Sequence, residues 1–438
     1  MTSAAARPDE RPDGGAPRRA RRASSRAQLL AAAVFAGLVA FAGVMLHRFD
    51  LSLVDTLDKH VGDWRIALGS PKAKGQRDDI AIVLIDEQTL LDYESRSPLD
   101  RALIAELVRA LDKTGAKAIG LDLIFDRRTR HDQRLLAALR EVKTPVVLGS
   151  IDDRVPGLPD ESLAIQAEFL KAAGKRYGHV MLARKDSKLL ASDSIVRYIA
   201  PPHQAGSGDG GSAVPGAMRS AVASGTRGAE PSVPQGPPAA FVDVLARVTD
   251  AKERSTSRVI SWLRPLDDRT PVFSVLRLPR HNPGTLKPGL DGVFGASWRE
   301  QLKGRIVLVG AEMVDRDQLL TPLSVLDRST MPGVFIHAQA LAQRIDGERD
   351  VRVLPDWVTG LVAGGVAFLC FMAARWSGIN PQGVGYGALG VVMIGFASYL
   401  AFMLFRIDFP SIALATAWAV GGFAGFSSEW VFRQLGIV

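Results

Sequence analysis

A chain of 438 residues is long enough for one sizeable domain together with several membrane helices. The net charge of +8 could indicate a nucleic-acid partner, but the first 27 residues hold seven arginines and no aromatic residue that could stack on a base. Nucleic-acid binding is therefore not expected. The single cysteine, Cys370, excludes a disulfide framework and a cysteine-based metal site.

The N-terminal region is predicted to be a cytosolic tail followed by a membrane anchor. Residues 1–26 are rich in Pro, Ala and Arg, which predicts a disordered basic tail. Residues 27–47 form an apolar run long enough to cross a bilayer. A signal peptide is the alternative, but the run exceeds the usual apolar region of a signal and lacks a small-residue cleavage site. An amphipathic juxtamembrane helix is predicted over residues 51–68.

Residues 48–356 are predicted to form an α/β domain with a mostly parallel sheet. Its core is a β-α-β unit with short apolar strands at 80–85 and 117–121 around an amphipathic helix at 99–113. Such a unit predicts a parallel pair with a right-handed crossover. A further helix and a further strand are predicted after this unit, at 132–141 and 145–149.

The second half of this domain is interrupted by a low-complexity insertion at residues 201–239, which is predicted to be a flexible loop. A hairpin at a sheet edge is predicted just before the insertion. The remaining predicted elements are helices at 161–173, 241–248 and 332–345 and strands at 177–183, 195–199, 258–263, 271–276 and 305–309.

Three further apolar runs, at 357–374, 384–405 and 409–432, predict transmembrane helices and bring the total to four. Positive charge is retained on the cytoplasmic side, so the large domain is expected outside and both termini in the cytoplasm of a bacterial inner membrane. Each of the three predicted helices carries two glycines at a spacing of four, with Gly383 directly before the second apolar run, and this spacing favours close packing between helices, either within one bundle or between copies of the chain. These helix-packing glycines are Gly360, Gly364, Gly383, Gly387, Gly421 and Gly425.

Carboxylates follow two of the predicted strands. Asp86 and Glu87 end the first, and Asp122 ends the second. In open parallel sheets, ligands bind outside the carboxyl ends of the strands, so these groups are expected to face one crevice. They could bind a ligand or hold an acid–base pair, but an Asp after a strand is often only a turn former or a helix N-cap. Arg101, at a predicted helix start, is expected to form a surface salt bridge or to bind an anionic ligand.

Motifs of several enzyme classes are missing. The sequence contains no phosphate-binding Gly-x-x-x-x-Gly-Lys loop, no His-Glu-x-x-His zinc motif and no Gly-x-Ser-x-Gly nucleophile turn. The seven histidines are scattered without metal-ligand spacing, and His337 is expected near the carboxyl end of the strand at 305–309. No catalytic residue, metal or cofactor is therefore predicted.

Two blocks of sequence carry a family resemblance. The first contains Ile85-Asp86-Glu87, the helix start at 97–101 and Gly-Ala-Lys-Ala-Ile-Gly-Leu-Asp at 115–122. The second contains Leu-Lys-Gly-Arg-Ile-Val-Leu-Val-Gly-Ala at 302–311 and, further on, Met-Pro-Gly-Val at 331–334. Together they resemble the second class of CHASE-type extracellular sensor domains, found with cyclases and histidine kinases. The chain departs from that pattern at Ser97 and Leu99, where aromatic residues are usual. The candidate ligand-binding residues are Asp86, Glu87, Arg101, Asp122, Asp317, Thr321 and His337.

This resemblance implies a sensor. Proteins with this domain usually continue into a cytosolic cyclase or kinase, whereas only residues 433–438 follow the last apolar run here. The first hypothesis is therefore a non-enzymatic membrane protein that binds an extracytoplasmic ligand and signals to a separate protein effector, as a single chain or as a homo-oligomer. The alternatives are an extracytoplasmic enzyme that uses the Asp86/Asp122 crevice and a structural subunit of an envelope complex.

Overall fold

The computed structural model separates the chain into two compact units. The sheet unit comprises Ile66–Asp186 and Ser192–Val351, and the helical unit comprises Met1–Arg65, Ser187–Ala191 and Arg352–Val438. The predicted tail, nearly all of the first membrane helix and residues 201–238 lie outside the described part of the chain. The described residues are 30, 33–34, 36–38, 53–93, 96–155, 157–183, 195–200, 239–249, 255, 257–280, 296–313, 318–347, 350–377 and 381–434.

Six parallel strands form the sheet, which confirms the predicted α/β class. Strands of this kind are buried on both faces, and their continuous apolar runs of Val, Ile and Leu fit that position. The order across the sheet is β4-β3-β2-β8-β1-β7. The strands are β1 (Ile80–Asp86), β2 (Ala118–Asp122), β3 (Val146–Ser150), β4 (Arg176–His179), β7 (Ser274–Arg277) and β8 (Ile306–Glu312).

The predicted pairing of β1 with β2 is wrong. Both are parallel, but β8 lies between them, with Asp86 opposite Glu312 and Asp122 opposite Gly310. Strand β8 is seven residues of almost wholly apolar sequence, Ile-Val-Leu-Val-Gly-Ala-Glu, and therefore suits the central position. Neighbouring strands are about 4.8 Å apart, so this insertion moves the two aspartates to roughly 10 Å from each other across the sheet.

Helices cover both faces of the sheet. One face carries α2 (Arg101–Asp112), α3 (Asp132–Glu141) and α4 (Asp160–Ala173), and its core includes Val83 and Leu107. The other face carries α5 (Phe241–Val248) and α8 (Gly333–Asp346). The predicted helices at these positions are confirmed. The remaining helices of the sheet unit are α6 (Ala296–Leu302) and α7 (Ser324–Asp327), and α1 (Leu53–Gly69) begins in the helical unit and ends in the sheet unit.

A predicted strand at residues 258–263 is wrong, because α8 supplies the hydrogen bonds that a neighbouring strand would have given. The side chain of Gln343 accepts from the Ser261 amide and donates to the Val259 carbonyl, at 2.9 and 3.0 Å. Gln339 pairs in the same way with both backbone groups of Leu263. The predicted antiparallel pairing is confirmed between β5 (Leu182–Ala183) and β6 (Tyr198–Ile199), but this pair is separate from the main sheet, and the predicted strand at 177–183 is divided between β4 and β5. A second small pair joins β9 (Gln318–Leu319) and β10 (Met331–Pro332).

The helical unit contains α9 (Asp356–Ser377), α10 (Pro381–Phe405) and α11 (Ser411–Gln434). Among the described residues, two stretches are long and apolar enough to cross a membrane, Trp357–Ala374 and Gly385–Phe405. The apolar part of α11, Ser411–Ser427, is shorter. Strands β11 (Arg352–Val353) and β12 (Ile407–Asp408) pair beside the start of α9 and the end of α10, as expected for antiparallel neighbouring helices.

Candidate functional site

The structure brings Asp122 and His337 together at the carboxyl edge of the sheet. Asp122 ends β2, and one of its carboxylate oxygens lies 3.7 Å from Nε2 of His337 on α8. Both side chains are largely buried, with exposed fractions of 13% and 4%. Burial raises the pKa of Asp122, and the nearby imidazole opposes that shift. The pair is therefore a buried acid next to a base.

The close approach of α8 to the sheet positions this pair. A Cβ on Gly310 of β8 would lie 2.5 Å from the Cβ of Val334, so only glycine lets the helix start so near the strand. Gly333, the first residue of α8, lies beside the Asp122 carboxylate. The ring of His337 then packs edge-on against Phe241 of α5, at 5.7 Å between centroids. Its Nδ1 is buried and has no hydrogen-bond partner among the described residues.

A second pair of buried polar groups ends the next two strands. Ser150 of β3 is opposite His179 of β4 in the sheet, and the two side chains are 2% and 1% exposed. Within the described part of the chain, the Ser150 hydroxyl and both ring nitrogens of His179 lack hydrogen-bond partners. Burial lowers the pKa of His179 to about 4, so the imidazole is neutral at pH 7. Unpaired polar groups in a protein interior are costly and indicate a place where a ligand or water belongs.

Charged side chains surround His179. Arg154 forms a pair with Asp152, and Arg344 donates to Asp243 at 2.6 Å. The imidazole lies within the electrostatic influence of four charged side chains, Arg154, Asp152, Asp243 and Arg258. Arg258 differs from the other two arginines because no carboxylate in the described part of the chain forms an ion pair with it. It donates instead to the Ala200 carbonyl at 2.8 Å.

The other predicted carboxylates of this edge form hydrogen bonds or ion pairs with nearby residues. Asp86 accepts from the backbone amide of Thr89 at 2.9 Å and from its hydroxyl at 3.0 Å, which is the geometry of a turn former. Arg277 lies 3.3 Å from Asp86 and also contacts Glu312. Glu87 forms an ion pair with Arg96 at 3.2 Å. With β8 between their strands, Asp86 and Asp122 do not form a close pair.

Arg101 pairs with a carboxylate as predicted, but the pair is buried and the predicted surface location is wrong. The side chain is 1% exposed, and its guanidinium lies over the ring of Phe125 at 4.5 Å. Phe125 in turn stacks on Phe169 at 4.6 Å, and Asp132 lies 3.6 Å from the guanidinium. Burial lowers the pKa of Arg101, and Asp132 opposes that shift. This arginine joins α2, α3 and α4 above one face of the sheet.

Two further candidates lie elsewhere. Thr321 is buried in the turn before α7, where its amide donates to the Ser324 hydroxyl at 2.9 Å. Asp317 lies outside the described residues. No group of three or more His, Cys, Asp or Glu side chains among the described residues could hold a metal ion.

Of the predicted packing glycines, Gly421 and Gly425 lie directly against α9. A Cβ on Gly421 would lie 2.2 Å from the Ala367 carbonyl oxygen, and one on Gly425 would lie 2.5 Å from the Phe371 carbonyl oxygen. The carbonyl of Gly387 accepts from the indole of Trp418 on α11. Gly360 and Gly364 are buried on α9, and the surroundings of Gly383 are not described.

The sequence predicted that Asp122 and His337 lie near the same edge of the sheet, but no signal in the sequence indicated that His179 belongs to a site. An isolated histidine has no spacing signal, and its burial depends on how β4 and α5 pack. Ser150 carries no sequence signal beyond its position directly after the predicted strand at 145–149. The one available signal was topological, because Ser150 and His179 both follow parallel strands.

The chain thus combines a parallel α/β unit, with polar groups at its carboxyl edge, and two apolar helical stretches of membrane-spanning length. A family model for the CHASE2 domain matches residues 30–374, more than half of the chain. The chain therefore belongs to the CHASE2 domain family, whose members are extracellular sensory domains and not enzymes. The resemblance seen in the sequence is confirmed. No curated protein and no solved structure matches the chain.

Proposed function

We propose that this protein is a non-enzymatic membrane sensor that binds a small polar ligand at the carboxyl edge of its sheet. The observation that carries the proposal is the buried Asp122–His337 pair, with an imidazole nitrogen that has no partner in the described structure. A ligand that hydrogen-bonds to these groups removes the cost of leaving them unpaired. It therefore favours the conformation in which the edge is closed around it.

The signal would pass through the membrane helices to a separate protein effector. We place the chain in a bacterial inner membrane as a four-helix protein with the sheet unit outside and both termini in the cytoplasm. Family membership and the two apolar stretches of α9 and α10 support a membrane sensor. A reporter tag at residue 438 should be accessible only from the cytoplasm, and a tag inserted at residues 201–239 only from outside. The opposite labelling would contradict this topology.

An enzyme that uses Asp86 and Asp122 together is less well supported. Strand β8 separates the two residues, Thr89 and Arg277 engage Asp86, and the family is sensory. No observation favours a purely structural subunit over a sensor.

The ligand proposal is tested with the full chain in lipid nanodiscs. A panel of neutral and charged small metabolites is screened by thermal unfolding, and the hits are repeated on Asp122→Asn and His337→Leu. Both variants should lose at least ten-fold in affinity, because a hydrogen bond to a buried or charged group is worth about 1.5–3 kcal/mol. Asp112→Asn, at the opposite edge of the sheet, is the matched control and should bind normally.

The effector proposal is tested by affinity purification of the full chain from its native membrane, with and without the hit compound. Recovery of a cyclase, kinase or other signalling protein in an amount that changes with the compound supports a sensor. A panel without hits, or hits that survive in both variants, contradicts ligand binding at Asp122. Turnover of a hit by the purified chain contradicts the non-enzymatic assignment.

A further inference from the structure

In the described part of the chain, the sheet unit and the helical unit are joined at two places. One junction lies within α1, directly after Arg65, and the other lies directly before β11, which begins at Arg352. Both connecting segments contact the turn at residues 406–410, which joins α10 to α11. These contacts all lie within the helical unit.

Helix α1 binds the turn and the start of α11 with two charged side chains. Arg65 forms an ion pair with Asp408 and donates from Nη1 to the Phe409 carbonyl at 2.7 Å. Asp58 accepts from two backbone amides in the first turn of α11 at 2.5 and 2.8 Å. Residues seven apart lie on the same face of a helix, so a single face of α1 makes both sets of contacts.

Arg65 also contacts the last turn of α10. Its guanidinium lies 5.8 Å from the ring centroid of Phe402, and the guanidinium of Arg406 lies 5.5 Å from the same centroid. Arg406 has a φ of 56°, a left-handed conformation that is costly for a residue other than glycine. Such a conformation persists only where the surrounding contacts hold it in place. The contacts of the turn therefore fix its backbone.

The second connecting segment binds the backbone of the same turn. The Arg352 amide donates to the Arg406 carbonyl at 2.7 Å, and Val353 is opposite Asp408 in the parallel pair of β11 and β12. Helix α9 begins shortly afterwards, at Asp356. The side chain of Asp408 thus binds α1, while its backbone lies beside β11. Asp408 is the residue at which the two connections meet.

The chemistry of these contacts suits an element that moves. The contacts of α1 with the turn are made by charged side chains, whereas its apolar residues Leu57, Val61 and Trp64 are exposed. Asp408 is 28% exposed, so water can reach the ion pair when it opens. A hydrogen bond lost here can be replaced by one to water, which keeps the net cost of release modest.

We propose that the turn at residues 406–410 is the coupling element of the sensor. Because Asp408 contacts both connections, a displacement of α1 or of β11 moves the turn, and with it the end of α10 and the start of α11. Arg65 is a positioning residue in this scheme, because it acts through the turn. This inference rests on the proposed function, since it names the element through which the sheet unit signals to the membrane helices.

The test measures hydrogen exchange by mass spectrometry in the full chain in lipid nanodiscs, without a ligand. Arg65→Gln removes the ion pair with Asp408. The Arg352 amide, which is bonded to Arg406 and not to Arg65, should then exchange about five-fold faster or more, because the local opening of the turn becomes easier. Lys74→Gln is the matched control, since Lys74 is exposed and its loss changes the net charge equally. Exchange at Arg352 should not change in this control.

Asp408→Asn is the second variant, because it removes the same ion pair from the side of the turn and is nearly isosteric. Its effect on the Arg352 amide should match that of Arg65→Gln, and the double variant should add little to either. The Phe368 amide, in the middle of α9, should keep its slow exchange in all three proteins. A general loss of stability would accelerate exchange at Phe368 as well.

Two results overturn the inference. They are unchanged exchange at Arg352 in Arg65→Gln or in Asp408→Asn, whichever of them folds, and equal acceleration at Arg352 and Phe368. Because no ligand is added, the outcome does not depend on binding at Asp122. Faster exchange at Arg352 without any ligand hit leaves the coupling element standing and refutes the ligand proposal. A ligand hit with unchanged exchange at Arg352 does the reverse.

Discussion

Protonation of Asp58 on α1 should change the stability of the helical unit by a predictable amount. The Asp58 carboxylate accepts from the backbone amides of Ile412 and Ala413 at 2.5 and 2.8 Å, at the start of α11. Burial raises its pKa from 3.8 to about 6, and the neighbouring Asp408 adds to the shift. The two amides and Arg65 oppose it. The net upward shift of the pKa means that the folded protein disfavours the charged form of Asp58 relative to the unfolded chain.

The sign and size follow from linkage. A carboxyl group whose pKa is higher in the folded state binds protons more tightly there, so folding is favoured as the pH falls. Each pKa unit corresponds to about 1.4 kcal/mol. Between pH 7 and pH 5, the folded group becomes mostly protonated while the unfolded group stays charged. The expected gain in the free energy of unfolding is therefore about 1.4 kcal/mol, and it reaches about 3 kcal/mol below pH 4.

The assay compares thermal unfolding of the full chain with that of Asp58→Asn, in detergent, at pH 5 and pH 7. Asparagine keeps one acceptor for the α11 amides but cannot titrate, so subtracting the two proteins removes the contribution of all other groups. The wild-type Tm should rise by about 3–5 °C more than the variant Tm as the pH falls. Asp268→Asn, at an exposed position, should follow the wild type. Identical pH dependence in wild type and Asp58→Asn would refute the argument.

Three further substitutions test the packing and the site. Gly421→Ala should destabilise the helical unit by about 1–3 kcal/mol in thermal unfolding, while Gly365→Ala, with nothing within 4 Å, should not. Asp122→Asn should raise the Tm at pH 7 by an amount equivalent to about 1 kcal/mol, because it removes an ionisable carboxyl whose charged form is disfavoured by burial. Arg101→Lys should lower the free energy of unfolding by about 1–2 kcal/mol, since lysine cannot stack on Phe125 as a planar cation. For each of these three substitutions, an unchanged Tm would contradict the physical argument behind it.

Local signals predicted much of the fold. The buried strands are short continuous apolar runs, and α3 and α5 have the predicted bounds. The cap of α2 follows the expected rule, because the Asp100 side chain accepts from the Ala102 amide at 2.7 Å. Such features are decided by neighbours in sequence, so the sequence can reveal them.

Long-range choices could not be predicted in the same way. Strand β8 enters the sheet between β1 and β2 although it follows them by nearly 200 residues, and nothing local specifies that position. The segment around Ser261 looks like a strand, but the amide side chains of Gln339 and Gln343 satisfy its backbone. The burial of Arg101 depends on aromatic residues from two other elements. Each outcome depends on tertiary packing that overrides local propensity.

The two edges of the sheet differ in how their polar side chains are paired, although buried polar atoms without a hydrogen-bond partner also occur elsewhere in the described structure, for example in Trp262 and Ser411. At the amino edge of the sheet, Asp112 accepts from the amides of Lys143 and Thr144 at 3.1 and 2.7 Å, and Arg77 pairs with Asp79 and Asp346. Those groups satisfy one another within the chain.

At the carboxyl edge, the side chains of Ser150, His179 and His337 are more deeply buried, and the Ser150 hydroxyl, both ring nitrogens of His179 and Nδ1 of His337 lack hydrogen-bond partners in the described structure. Burying such groups unpaired costs about 1–3 kcal/mol each, so a fold selected only for stability would replace them with apolar residues. Their presence at the edge where parallel sheets bind ligands supports the proposed ligand site.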